Sequence, residues 1–415
     1  MSTSVGPRID ASWVISQLRE LDRRTGGASG ARRVAWTEPW HEARAFLAEL
    51  LAEIEIELEQ DEAGNLWAWL KGDGEPALAL GSHLDSVPAG GWLDGALGVM
   101  AGLGVLRSWA AREEPPPRTL ALVDWADEEG ARFGHSLFGS SAFAGTLAAD
   151  DARRLVDREG RRIEDVLAAD GIDLDRALDA GSRRSRLAAY IELHIEQGPV
   201  MEHERLRAAA VAGCVGVERH RIAFIGQAAH AGTTPMDMRS DAGLAAAAAA
   251  LAIEEIAREH GGTATTGALE LTPGAVTIVP GRAELSVDLR NSDPDRLAAM
   301  LDETREAGQV AADRRGCDIQ FEPLWEIAPI AFDPRLVRWA REACAEVTGS
   351  DRVLISGALH DAAEVARVLP VAMIFTPSIG GLSHTPVEDT GEDDLTAAIE
   401  AFGLIANRLL HEEFT

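Results

Sequence analysis

Four short stretches of this chain gather residue types that bind metal ions and move protons. GSHLDSVPAGGWLDG holds His83, Asp85 and Asp94, with Asp94 nine residues past Asp85. DWADEEG holds the adjacent acids Glu128 and Glu129, YIELHIEQG holds His194, and GLSHTPVED holds His384. Neutral imidazoles mixed with carboxylates suit zinc, manganese, cobalt or nickel. Two such ions ~3.5–4 Å apart need a shared carboxylate, and Asp94 is the expected bridge. A general base must stand beside the reacting water without being consumed as a ligand. Neighbouring acids point in different directions, so one of Glu128 and Glu129 can bind metal while the other handles protons. The His83–x–Asp85 pair fits a carboxylate that fixes the tautomer of a ligand histidine. Taken singly, each feature has a plainer reading: a lone histidine is more often structural, and two adjacent acids are more often a solvated turn.

The elements around these residues explain how they could meet. Short apolar runs bounded by turn signals read as strands at Leu66–Leu70, Ala77–Gly81, Thr119–Trp125, Tyr190–Ile195 and Val371–Pro377. Amphipathic helices are expected over 12–23, 39–59, Gly98–Ala111 and Asp151–Leu167. Strands alternating with helices indicate an α/β sheet with parallel members. Every candidate ligand lies just beyond the carboxyl end of a strand, the edge where open α/β sheets bind ligands. The middle of the chain reads differently. His220–Gly226 is a strand, Pro235–His260 a long helix, Ala264–Val279 and Ala283–Leu289 two strands, Pro294–Arg315 a helix and Asp318–Pro323 a strand. The order βαββαβ is a split-βαβ, ferredoxin-like unit. The expected layout is therefore a catalytic domain in two parts, 1–212 and 326–415, with a compact domain at 213–325 inserted between them. The fold class is α/β, with a mixed, mostly parallel sheet flanked by helices and an α+β insert.

The segments GSHLDSVPAGGWLDGALGV, DEEGARFG, ELHIEQGPVME, HAGTTPMDMR and GLSHTPVED, in this order, resemble the aminoacylase and carboxypeptidase-G-like dinuclear metallohydrolases. Within them the chain looks like the amidase–hydantoinase–carbamoylase branch of N-carbamoyl-L-amino acid hydrolases, β-ureidopropionases and allantoate amidohydrolases. The resemblance runs from about residue 75 to 390 and implies a zinc-exopeptidase-like catalytic fold with a dimerisation lid. It implies two divalent ions, one on His83, Asp94 and His194, the other on Asp94, Glu129 and His384. Glu128 becomes the general base. His230, in AHAGTTPM, resembles a lid histidine that enters the neighbouring subunit's site to stabilise an oxyanion. Gln197 and Arg290 match substrate-holding positions, with Arg290 on a carboxylate, where a bidentate clamp is physically sensible. His230 could otherwise cap the lid helix, and Arg290 could sit in a surface ion pair. His360 and Asp361 read equally as support for the centre or as structural residues. This chain also departs from the family's pattern. TIVPG stands where the family commonly has NVVPG, so Thr277 replaces a substrate-binding asparagine. SGALHDAA stands for SGAGHDAQ, with Leu359 and Ala363 at the changed positions.

Bulk composition narrows the field of partners. A net charge of −29 over 415 residues disfavours nucleic acid and anionic membranes. No apolar run approaches the roughly 20 residues of a membrane helix, and no secretory signal is visible, so a cytoplasmic protein is expected. Cys214, Cys317 and Cys344 are far apart and odd in number, as expected of reduced, buried thiols. The favoured reading is a metal-dependent amidohydrolase cleaving the C–N bond of an N-carbamoyl-amino acid or a related small carboxylate, working as a homodimer. Allantoate or an N-acyl-amino acid is the alternative substrate. A non-catalytic binding protein on the same scaffold would lack a ligand or the base, and none is missing.

Overall fold

The structure, a computed structural model, describes residues 6–27 and 29–414. The chain forms two compact units, one made of Met1–Ala212 with Ala331–Thr415, the other of Gly213–Ile330.

Strands are numbered along the chain: β1 (Glu57–Gln60), β2 (Leu66–Leu70), β3 (Ala77–His83), β4 (Leu120–Trp125), β5 (Leu187–Ile195), β6 (Ala209–Cys214), β7 (Gly216–Ile225), β8 (Ala229–His230), β9 (Thr263–Thr272), β10 (Ile278–Val279), β11 (Arg282–Asn291), β12 (Asp318–Ile327), β13 (Ile330–Ala331), β14 (Val353–Ser356) and β15 (Val371–Thr376). The first unit is built on a mixed nine-stranded sheet, ordered β1-β2-β4-β3-β5-β15-β6-β13, with β14 beside β6. Its centre is parallel: β3 pairs with β4 and β5, and β5 with β15. Those four strands are buried along their whole length, as expected of parallel strands covered on both faces. The helices Ala11–Thr25, Ala96–Ala110, Pro334–Thr348 and Glu392–Leu409 supply side chains to a shared apolar core that includes Leu18, Val99, Leu103, Ala340 and Phe402.

The second unit follows the order strand, helix, two strands, helix, strand. Its antiparallel sheet runs β12-β7-β11-β9. The helices Ala242–His260 and Pro294–Arg315 cover it, burying Ala245, Ala249, Ile253, Leu297 and Met300 with Ile222, Phe224 and Leu285. Alanine-rich packing lets the first helix lie close to the sheet.

Several expected boundaries move. The helix expected over 39–59 ends at Leu51, and β1 follows it. Ile54, Ile56 and Leu58 repeat every second residue, a strand period rather than a helical one. The stretch Asp151–Leu167 is not one helix but two short ones, Ala149–Ala152 and Ile163–Ala169. Between them the Asp157 carboxylate accepts hydrogen bonds from the backbone N–H of Glu159 and Arg161 and closes a turn. The long helix of the second unit begins at Ala242, not Pro235, where Asp241 accepts a bond from Leu244 N–H and caps it. The strand expected over 264–279 stops at Thr272, and Pro273–Thr277 form a loop before β10 turns away to pair with β8. The sequence reading did not pick out β6 or β14; β6 (AAVAGC) consists largely of small residues and β14 is four residues long. The three cysteines are free and buried. Among the described residues, no helix is long and apolar enough to cross a membrane.

Candidate metal centre

Parallel pairing sets the ends of β3, β4, β5 and β15 on one edge of the sheet. His83 pairs with Trp125 across β3 and β4, and His194 with Phe375 across β5 and β15. The loops that follow bring in Asp94, Glu128, Glu129 and His384. Ligand atoms of His83, Asp94 and His194 lie within 4.8 Å of one another, as do those of Asp94, Glu129 and His384.

Asp94 divides its carboxylate between the two groups. One oxygen is 3.2 Å from His194 Nε2 and the other 3.1 Å from His384 Nε2. Glu129 Oε2 lies 3.4 Å from the same His384 nitrogen. Two ligand rings have defined orientations. His83 Nδ1 is 3.1 Å from the Asp85 carbonyl, and His194 Nδ1 is 2.9 Å from the Ile195 carbonyl. A carbonyl can only accept, so each Nδ1 donates to its carbonyl and each Nε2 faces the cluster. The expected partner of His83 was the Asp85 carboxylate. The backbone carbonyl is the closer acceptor, and the carboxylate, 3.5 Å from the same nitrogen, also accepts the N–H groups of Glu128 and Glu129, each at 3.1 Å. Asp85 thus fixes the turn that presents both acids. Glu128 itself sits with Oε2 3.7 Å from His83 Nε2.

Three non-glycine residues at this edge, Asp127, Gln197 and His384, have left-handed backbone, with φ of 56°, 59° and 55°. Such conformations cost energy and cluster at functional sites. Gln197 Nε2 donates to both Asp94 oxygens, at 3.2 and 3.1 Å. A further group, Glu192, His194 and His360, is also close enough to consider as ligands. Glu192 is already committed, since it accepts from Ser82 Oγ, Tyr190 OH and Ala362 N–H. His360 Nε2 lies 2.9 Å from Ser356 Oγ. These residues brace the back of the centre.

Electrostatics favour a cation here. Burial drives the Glu128 carboxyl well above its ordinary range; His83 pulls it back, while Asp361, Glu129 and Asp85 push it further up. Burial and the Asp94 charge push Glu129 up to about 7. Burial works against the Asp94 charge, yet the bonds to His194 and His384 hold it well below the usual carboxylate range. The same bond to Asp94 raises His384 to about 9. A buried nest of acids needs compensating positive charge. With two imidazoles turned Nε2-first into the cluster and a carboxylate split between two triads, these residues fit a pair of divalent ions.

The remaining predicted residues lie in the second unit. His230 Nδ1 accepts from the N–H of Gly232 and Thr233, both at 3.1 Å, so the neutral ring keeps its proton on an exposed Nε2. His230 pairs with Ile278, and Thr277 O accepts from Ala231 N–H, so positions 230 and 277 are neighbours. Arg290 Nε and Nη2 reach the two oxygens of Asp288, at 2.7 and 3.3 Å, and Arg219 also donates to Asp288.

Sequence reasoning missed three supports. Asp124 is buried at the end of β4 and accepts Leu84 N–H at 2.8 Å while paired with Arg44. Arg33 is wholly buried and donates Nε to the Leu84 carbonyl. Glu388 is buried between the loops carrying Asp94 and His384. Two of them had a sequence signal: Asp124 ends the apolar run Leu120–Val123, and Glu388 stands four residues after a ligand histidine.

Residues 79–408 match peptidase family M20/M25/M40, and the chain belongs to that family. Within it the likeness runs to the hydantoinase/carbamoylase amidases. The chain is 35% identical to N-carbamoyl-L-amino acid amidohydrolase of Geobacillus stearothermophilus, over 93% of this chain and 94% of that one. It is 32% identical to allantoate amidohydrolase of Escherichia coli, over 92% and 93%. A crystal structure of a hydantoinase/carbamoylase family amidase from Burkholderia multivorans superposes with a TM-score of 0.88 at 32% identity, covering 96% of this chain and 98% of that one.

Proposed function

We propose that this protein is a dinuclear metal-dependent amidohydrolase that cleaves the C–N bond of an N-carbamoyl-amino acid or a related ureido or amide substrate bearing a carboxylate. The observation that carries this reading is Asp94, whose two oxygens serve two separate ligand triads at one sheet edge. Two divalent ions bound there, zinc or manganese, cobalt or nickel, would act as Lewis acids and make a water nucleophilic near neutral pH.

Each residue then has a task. His83, Asp94 and His194 would hold one ion, and Asp94, Glu129 and His384 the other. Asp85 fixes the 128–129 turn. Glu128, buried and raised in pKa, takes a proton from the attacking water and returns it to the leaving nitrogen. His230 offers its Nε2–H to the oxygen on which negative charge develops. In the second unit, Arg290, steadied by Asp288, holds the substrate carboxylate and Thr277 is a further substrate contact; in the first unit, Gln197 is the proposed substrate contact. From an N-carbamoyl-amino acid the products are the amino acid, carbon dioxide and ammonia. The second unit is a ferredoxin-like lid, and through it two chains form a homodimer in which His230 serves the neighbouring chain's site. The first unit is the zinc-exopeptidase-like catalytic domain.

Allantoate and N-acyl-amino acids are the second reading. Thr277, in place of asparagine, and Leu359, in place of glycine, favour a substrate of unusual shape within the class. The test is hydrolysis of N-carbamoyl, N-acetyl and allantoate substrates by protein stripped and reloaded with each metal. Turnover of a carbamoyl or ureido substrate that vanishes on chelation is expected. Chelator-insensitive turnover by a chain carrying no bound metal would refute the dinuclear reading.

A further inference from the structure

The four strand-edge loops are not equally anchored. His83 and His194 project from β3 and β5, whose backbones are fixed by ladder bonds on both sides. Glu129 is held by Asp85 and by Val87 N–H. The loop of His384 is closed by Ile379 N–H on the Asp389 carbonyl and by Glu388 N–H on the Thr385 carbonyl, bonds that hold its ends and not the histidine itself. His384 lies eight residues beyond the end of β15 at Thr376, its backbone is left-handed, and its side chain is 49% exposed. Its placement depends on how the 383–389 turn is tied down.

That tie is Glu388, which is 2% exposed. Its Oε1 accepts from the backbone N–H of Leu93 at 3.2 Å and of Asp94 at 3.1 Å. Its Oε2 accepts from Ser383 Oγ at 2.9 Å, next to His384. The Ser383 hydroxyl also lies 3.4 Å from Asp94 Oδ2. One carboxylate therefore spans the loop of the shared ligand and the loop of the least-anchored ligand. Two more features serve the same junction. Trp92 Nε1 donates to Asp389 Oδ1 at 3.1 Å. At Gly91 a Cβ would fall 1.9 Å from Glu388 Oε1, so only glycine admits the carboxylate there. Asp94 has a second hold at the start of the helix Ala96–Ala110, where its carbonyl accepts Ala96 N–H. His384 sits in a loop with no helix or strand beginning beside it.

We infer that Glu388 is a positioning residue that sets the affinity of the Asp94–Glu129–His384 half of the centre, and not of the His83–Asp94–His194 half. This rests on the dinuclear reading above. Removing groups that orient metal ligands typically weakens affinity about 10–100-fold.

The test counts metal rather than product. Wild type, Glu388→Leu, Glu388→Gln and Ser383→Ala are stripped, loaded with cobalt or zinc, desalted, and titrated against a chelator. Wild type should keep two ions per chain. Glu388→Leu should keep one tightly and bind the second about 10–100-fold more weakly. Glu388→Gln should keep both, because its amide oxygen still accepts the two N–H groups and its nitrogen can donate to Ser383. Ser383→Ala, which alters a partly exposed loop, should weaken the second ion alone and by less; it carries the test if Glu388→Leu does not fold. The inference is overturned if Glu388→Leu, or Ser383→Ala in its place, holds both ions as wild type does or loses both equally. It is also overturned if Glu388→Gln behaves like Glu388→Leu, since charge rather than geometry would then govern. A wild type that binds no metal would instead remove the dinuclear reading.

Discussion

Glu128 is positioned by other residues' hydrogen bonds. Its backbone N–H, with that of Glu129, is taken by Asp85, which leaves the side chain to point past His83. A carboxyl held buried and raised is suited to gain and lose a proton within one reaction cycle. Glu128→Gln should bind metal as wild type does, because residue 128 belongs to neither ligand triad. Its kcat should fall roughly 10²–10⁴-fold, the usual worth of one general base. Metal analysis alongside steady-state rates checks both halves. A mutant with near-normal kcat would require another proton carrier. At this scale the sequence was a good guide to which types of atom would meet and a poor guide to how they would be held. The spacing of His83 and Asp85 suggested a carboxylate on the imidazole, but the adjacent carbonyl is the closer acceptor. Arg33, 50 residues before His83, leaves no mark in the spacing, because its role is a contact made only when the chain folds.

The helix Ala96–Ala110 begins one residue after Gly95, so its seating fixes where Asp94 lies. At Gly98 a Cβ would come 2.6 Å from the Leu193 carbonyl oxygen, 2.7 Å from Ser82 Cβ and 3.0 Å from the Gly81 carbonyl oxygen. The helix backbone therefore rests directly on β3 and β5 beside His83 and His194. Gly98→Ala sets two effects against each other. Helix propensity gains about 1 kcal/mol, whereas overpacking costs about 1–3 kcal/mol. Two of the three obstructing atoms are backbone of a central sheet and cannot swing away, so the loss should win. Urea unfolding of the metal-free variant should show net destabilisation, and metal should be held more weakly. A more stable Gly98→Ala would mean that the helix has room to shift. The elements that build this edge were legible because buried parallel strands read as unbroken apolar runs. Elements that depend on a partner were not: β1 is an edge strand that gains its form by pairing with β2, and β10 exists only because β8 lies opposite.

Both ligand triads lie in the first unit, and among the described residues the second contains no comparable cluster. The second unit also has its own apolar core. If the proposed dimer places His230 in the neighbouring site, mixing His230→Ala chains with Glu128→Gln chains should restore one working site per dimer. Two inactive parents that stay inactive after confirmed exchange would confine His230 to its own chain or to no role. Thermal unfolding offers a separate test of how the centre supports the molecule. Ions that bind only the folded first unit stabilise it by RT ln(1 + [L]/Kd), about 2.7 kcal/mol at a hundredfold excess over Kd. For a unit of this size, at about 2.1 cal/mol/K per residue, that raises its melting temperature by about 4 °C for each ion bound. The second unit, where the described residues hold no such cluster, should melt where it did. The chain separates the two signals by itself: nine of its ten tryptophans lie in the first unit, and the tenth, Trp325, lies on β12. Tryptophan fluorescence should therefore follow the metal-sensitive transition, and far-ultraviolet circular dichroism should report both. Chelation should lower the dominant fluorescence midpoint and leave in place a second transition that is strong in circular dichroism and weak in fluorescence, with Trp325 its one tryptophan. Equal displacement of both would mean that the second unit draws its stability from the same centre.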